Sequence, residues 1–173
     1  MENGGKDSKN ILKVNGKFDF ISLCKNLLMV FIGAGIIYIL NRKSFYIYNQ
    51  LKKPWFAVPQ KVFPIAWSIL YLLMALAAYR IYMKNRSGIN DNGAYFYYLV
   101  QLLVNFLWPF VFFTFRLYGI SFILICILLI LIIITVIKFK KVDNISAILM
   151  LPYILWTSYA TVLSFFVWMY NEM

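Results

Sequence analysis

The sequence predicts an all-α integral membrane bundle of five transmembrane helices. Three observations predict it. The 173 residues are 63% hydrophobic and only 13% charged, with a mean hydropathy of +0.76, far from the make-up of a soluble domain. Apolar runs recur at about the length that crosses a ~30 Å hydrocarbon core. All six acidic residues, Glu2, Asp7, Asp19, Asp91, Asp143 and Glu172, fall outside those runs or at their ends.

Residues 1–20 are polar and lysine-rich, without the apolar segment and small-residue cleavage site of a signal peptide. They are expected to form a disordered tail, and 21–173 the membrane domain. The first span covers about 21–40, with Lys25 close enough to one end to snorkel to the interface. A polar, proline-containing connection at 41–62 follows, and Pro64 then suits the first turn of a second span, about 63–82. After the turn-like GINDNG segment a third span covers about 94–115, and a fourth, nearly pure Ile and Leu, about 120–137. The fifth covers about 145–170, with Pro152 expected to kink it beside Tyr153.

The net charge of +11 comes from 17 basic residues in short clusters between the apolar runs, a pattern of topology signals and headgroup contacts rather than of nucleic-acid binding. Eleven lie on the N-terminal side of a five-span layout, from Lys6 to Lys141. Six lie opposite, namely Arg42, Lys43, Lys52, Lys53, Lys61 and Arg116. The excess predicts a cytoplasmic N-terminus and places the 41–62 loop on the other side.

Several chemistries lack their residues. The chain has no histidine, so imidazole holds no metal or haem. Cys24 and Cys126 fall in different spans without paired spacing and are read as packing residues. With no carboxylate at membrane depth, a proton-coupled transporter and conventional hydrolysis are both disfavoured. No metal site and no required cofactor are expected.

What the spans do carry is aromatic and amide stripes. Gln101, Asn105 and Trp108 share one face of the third helix, and Tyr153, Trp156, Ala160 and Ser164 one face of the fifth. Trp67 and Tyr71 follow Pro64 on the second. Amides are costly in lipid, so these faces look inward. They either line a pocket for a large, flat, mostly apolar ligand or knit the bundle together as interhelical hydrogen-bonding residues. Trp55 and Trp168 lie near span ends and read as interfacial belt residues. Gly33, Gly35, Ala75 and Ala78 permit close helix approach.

Three segments, LKKPWFAVPQKVFPIAWSILY at 51–71, QLLVNFLWPFVFF at 101–113 and LPYILWTSYATVLS at 151–164, together resemble the tryptophan-rich sensory protein and translocator protein family, TspO/MBR. The resemblance implies a five-helix bundle, commonly a homodimer, that binds protoporphyrin IX and related tetrapyrroles, haem among them, and synthetic isoquinoline and benzodiazepine-type compounds. It places the family's pocket tryptophans on Trp67 and Trp156, its third-helix asparagine on Asn105 and its small fifth-helix position on Ala160. Tyr48 matches the loop tyrosine and Ser164 a frequent serine or asparagine position. The loop 41–62, with Lys52, Lys53, Pro54 and Pro59, would then be a lid, its lysines meeting either propionates or headgroups. Ile47 stands where the loop motif usually has tryptophan, and Val58-Pro59 where Pro-Pro is usual. The C-terminal SFFVWMYNEM lacks the basic residue of the animal sterol-contact pattern, so cholesterol is not carried over.

Three functions follow. The leading one is a membrane receptor or carrier for tetrapyrroles. Another is light-dependent porphyrin degradation assisted by Trp67 and Trp156. The third is a structural or lipid-handling dimer.

Overall fold

A computed structural model of the chain describes residues 11–90 and 93–173. Among the described residues its five spans are built from six helices and one π-helical turn, and a seventh helix lies in the connection between the first two spans. The first ten residues of the predicted tail, and Asp91 and Asn92 of the GINDNG turn, lie outside the described residues.

Residues 11–19, expected to belong to a disordered tail, are folded against the bundle. Asn15 and Gly16 both have positive φ, 51° and 76°, and Val14 and Lys17 exchange backbone hydrogen bonds of 2.9 and 3.0 Å across them. This is the two-residue turn that an Asn-Gly pair favours. Val14 is buried against Leu23, Tyr79 and Met83. Arg80 Nη1 donates to the carbonyls of Ile11 and Lys13 at 2.8 and 3.2 Å, and the Tyr79 hydroxyl donates to that of Leu12 at 3.0 Å.

Helix α1, Phe20–Leu40, starts at Asp19, whose carboxylate accepts from Ser22 N and Oγ. These bonds, led by the Ser22 backbone N–H, hold the Asp19 carboxyl below its ordinary value. The 41–62 connection is not wholly irregular, since Ser44–Gln50 forms a short helix, α2. Helix α3, Val62–Arg86, begins as expected just before Pro64 but runs past residue 82. Its basic last turn, with Lys84 and Arg86, suits a helix C-terminus, and Gly88 at φ 87° ends it.

The third span is α4, Ala94–Pro109, continued by a π-helical turn, Phe110–Thr114. Pro109 has no N–H to donate to the preceding turn, and the backbone widens after it, with Phe115 N–H reaching Phe110 O at 2.9 Å. Helix α5, Tyr118–Val142, buries Tyr118, Ser121, Ile125, Leu128, Ile132, Thr135 and Phe139. The alternating spacing of three and four is that of a narrow packing seam. Ile120, Ile123, Ile127, Ile130 and Ile137 point outward, a face suited to lipid.

The fifth span is two pieces, α6 at Asn144–Leu149 and α7 at Leu151–Asn171. The expected kink at Pro152 is thus a break at Met150, with Pro152 placed in the first turn of α7, where its missing N–H is not needed. Asp143 caps α6 through Ser146 N and Oγ and pairs with the buried Arg80 through Nε–Oδ2 at 2.7 Å and Nη2–Oδ1 at 2.9 Å. Helix α5 packs against α4 and α7, and α1 against α3. The core runs through Met74, Ala75, Ala78, Tyr98, Leu128, Ile132 and Tyr153. Close approach occurs within the chain at Gly33, where an added Cβ would strike the Phe106 ring of α4.

Candidate functional site

The end of the bundle away from the N-terminus encloses a cavity of about 400 Å³, within the range of small-molecule sites. It is formed by the second half of α1, α2 and the connection after it, the start of α3, the end of α4 with its π turn, and the second half of α7. Its walls are mainly aromatic, with Trp67, Tyr71, Trp108, Phe112 and Trp156 among them. Trp67 leans on Tyr71 at 5.3 Å between ring centroids, Trp156 meets Phe63 edge-on at 5.7 Å, and Trp108 stacks on Phe112 at 4.8 Å. The π turn brings Phe112 and Phe113 to the wall. Trp108 is pinned, because its indole N–H donates to Ser121 O of α5 at 3.0 Å.

A chain of hydrogen bonds crosses three helices at one side of the cavity. Tyr71 OH donates to Asn105 Oδ1 at 3.1 Å, Asn105 Nδ2 donates to Tyr153 OH at 2.8 Å, and Tyr153 OH donates to Gln101 Oε1 at 3.1 Å. Two other polar atoms on cavity-lining residues, Gln60 Oε1 and Trp156 Nε1, are buried without a partner among the described residues. Both atoms are covered by their surroundings, and Asn41, Ser44, Ser68 and Ser164 add further polar side chains to the lining.

The connection between α2 and α3 covers this end. Tyr48 OH donates to Val58 O at 2.8 Å, while Val58 N–H donates to Tyr159 OH of α7 at 3.0 Å. Burial, and then the neighbouring Tyr159, pushes the Tyr48 phenol up to about 12, so it stays a neutral donor. Asn171 of α7 clamps the Lys52 backbone in both directions, accepting from its N–H at 3.0 Å and donating to its carbonyl at 2.9 Å.

The TspO/MBR family model matches residues 26–169. The tryptophan-rich sensory protein of Cereibacter sphaeroides is 36% identical over 118 residues, 68% of this chain and 72% of that protein. Protein CrtK of Rhodobacter capsulatus is 33% identical over 127 residues, 72% of this chain and 78% of its own. The human translocator protein is 28% identical over 127 residues, 72% of this chain and 75% of its own. This chain belongs to the TspO/MBR family.

In this TspO/MBR chain the residues singled out by sequence separate into three groups. Tyr48, Trp67, Tyr71, Asn105, Trp108, Trp156, Ala160 and Ser164 line the cavity. Gln101 and Tyr153 do not. They lie buried in the core behind Asn105 and hold it in place, because Gln101 is one helical turn further from the cavity end. Lys52, Lys53, Pro54 and Pro59 also stand outside the lining. Lys53 Nζ folds back on the end of α2, donating to Tyr48 O at 2.6 Å and Leu51 O at 3.1 Å and lying 4.7 Å over the Tyr48 ring. Free carbonyls at a helix C-terminus attract a cation in this way. Lys52 and Pro59 are exposed and Pro54 is buried in the loop.

Other lining residues were not anticipated. Phe31, Ala34, Gly35 and Tyr38 of α1 line the cavity, and their spacing of three, one and three was a readable helical face. Asn41 and Gln60 carry no such signal, since each sits in irregular backbone beside the connection.

Proposed function

We propose that this TspO/MBR protein is a membrane receptor or carrier that binds tetrapyrroles such as protoporphyrin IX in the cavity between its helices. The observation that carries the reading is the set of aromatic walls, Trp67, Trp108 and Trp156, around a cavity of about 400 Å³ that also holds the Asn105 amide in its lining. A flat macrocycle gains from stacking and edge contacts with such walls, and a turn of the Trp156 ring would present its covered, unpartnered N–H to a ligand acceptor, relieving a buried donor that costs free energy. With no histidine in the chain, recognition rests on shape, stacking and these few polar contacts rather than on axial ligation of iron. Isoquinoline and benzodiazepine-type compounds, flat and mostly apolar, fit the same description. The names borne by the relatives, sensory and translocator protein, agree with a ligand-responsive membrane role. The lysine and arginine excess supports an N-terminus in the cytoplasm, which a pair of N- and C-terminal reporter fusions tests.

The test is a titration of the protein in lipid nanodiscs with protoporphyrin IX in the dark, read by tryptophan quenching. Metal-free protoporphyrin is expected to bind about as tightly as haem. Trp156→Phe should weaken it by about fivefold, the equivalent of one net hydrogen bond of about 1 kcal/mol. Ala160→Phe, which fills the cavity, should abolish it. Binding that depends entirely on iron, or that ignores both substitutions, refutes the reading.

A further inference from the structure

On the outer side of the Trp156 ring lies a second, more open hollow. It is a groove between α3 and α7 lined by Ala66, Ile69, Leu70, Pro152, Leu155, Trp156 and Tyr159, all within the two spans. Its rim faces outward on the lipid-facing surface, with Ile69 55% and Leu155 72% exposed. Trp156 therefore separates the groove from the inner cavity, being part of the lining of both.

The two aromatic residues of the groove are held differently. Tyr159 is fixed, its hydroxyl accepting from Val58 N–H at 3.0 Å and donating to Phe56 O at 3.3 Å. Trp156 has ring contacts with Phe63 and Tyr159, but its indole N–H has no hydrogen-bond partner among the described residues. Small residues flank it, Ala66 across the groove and Ala160 one turn along α7. We infer that this groove is a lateral portal through which the ligand of the cavity exchanges directly with the bilayer, with Trp156 as its movable wall.

The inference rests on the proposed function and adds a route to it. Turning the Trp156 ring breaks no hydrogen bond. Opening the connection between α2 and α3 breaks the Tyr48 to Val58 and Val58 to Tyr159 bonds and both Lys52 to Asn171 bonds. A mostly apolar ligand partitions into the bilayer, and the groove opens there. The first contacts such a ligand makes are with Ile69 and Leu155, and the indole then passes it inward.

Stopped-flow mixing of protoporphyrin IX with the protein in nanodiscs tests this. Ile69→Trp and Leu155→Trp obstruct the groove from opposite helices without touching the cavity lining, so a folding defect in one leaves the other informative. Each should slow association and dissociation alike by about tenfold, a barrier rise of about 1.4 kcal/mol. The equilibrium Kd should stay within about twofold of wild type, because a portal alters the path and not the end states. Ile130→Trp, on the outward face of α5, should leave the rates unchanged. Unchanged rates in both groove variants, with binding intact, overturn the portal and leave the receptor reading standing. Absence of protoporphyrin binding in the wild type overturns both.

Discussion

Replacing Asn105 by alanine removes the middle of the Tyr71–Asn105–Tyr153–Gln101 chain. Two hydrogen bonds are lost, at 3.1 and 2.8 Å, each joining α4 to a different helix. Side-chain hydrogen bonds between membrane helices are worth about 0.6 kcal/mol on average and at most about 1.7. The Tyr71 hydroxyl also loses its acceptor, whereas Tyr153 can still donate to Gln101. The expected destabilisation is therefore about 1–3 kcal/mol, measured as reversible unfolding in mixed micelles. Asn105→Leu keeps most of the volume and should cost a similar amount, which separates lost hydrogen bonds from a lost methylene. A double-mutant cycle with Tyr153→Phe should give a coupling of about 0.6–1.7 kcal/mol. If Asn105→Ala matches wild-type stability and the coupling vanishes, the amide is not holding the helices together. If stability is unchanged while protoporphyrin binding is lost, Asn105 serves the ligand alone.

Two further outcomes follow from the polar contacts outside the cavity. Arg80 and Asp143 are 1% and 8% exposed, so Asp143→Ala, which removes the carboxylate from a buried ion pair, should cost about 3–5 kcal/mol in the same unfolding assay. Burial pushes the Asp143 carboxyl up, but hydrogen bonds from Arg80 and Ser146 more than reverse this and leave it below its ordinary value of 3.8. The stabilisation it contributes is accordingly present above that value and lost as pH falls through the lower native one. Thermal stability measured down that acid range should fall in wild type and change less in Asp143→Asn, which starts lower. At the covering connection, Asn171→Ala removes both bonds to the Lys52 backbone. Hydrogen-exchange protection of the Lys52 amide should drop by about fivefold, the equivalent of about 1 kcal/mol, with the transmembrane amides unaffected.

Much of this architecture was readable from local pattern. A run of apolar residues matched to bilayer thickness specifies a span wherever it occurs, and all five spans were placed, with ends differing by a few residues. Helical spacing likewise put Gln101, Asn105 and Trp108 on one inward face, and the three motifs at 51–71, 101–113 and 151–164 were enough to point to the family. The Asn15-Gly16 turn was also readable, but Val14 needed Tyr79 and Met83 from α3 before its burial meant anything.

The sequence by itself thus determined the number of spans, their inward faces and the family, because these depend on composition and on periods of a few residues. The tertiary structure alone decided which inward residues meet open space. Asn105 and Trp156 reach the cavity while Gln101 and Tyr153 stop behind it. Lys53 turns away to the carbonyls of α2, Gln60 turns in, and Trp156 becomes a wall shared by two hollows. A cavity is what remains between helices after packing. Its shape depends on the depth and rotation of segments as far apart in the chain as Phe31 and Val167, which no local period encodes.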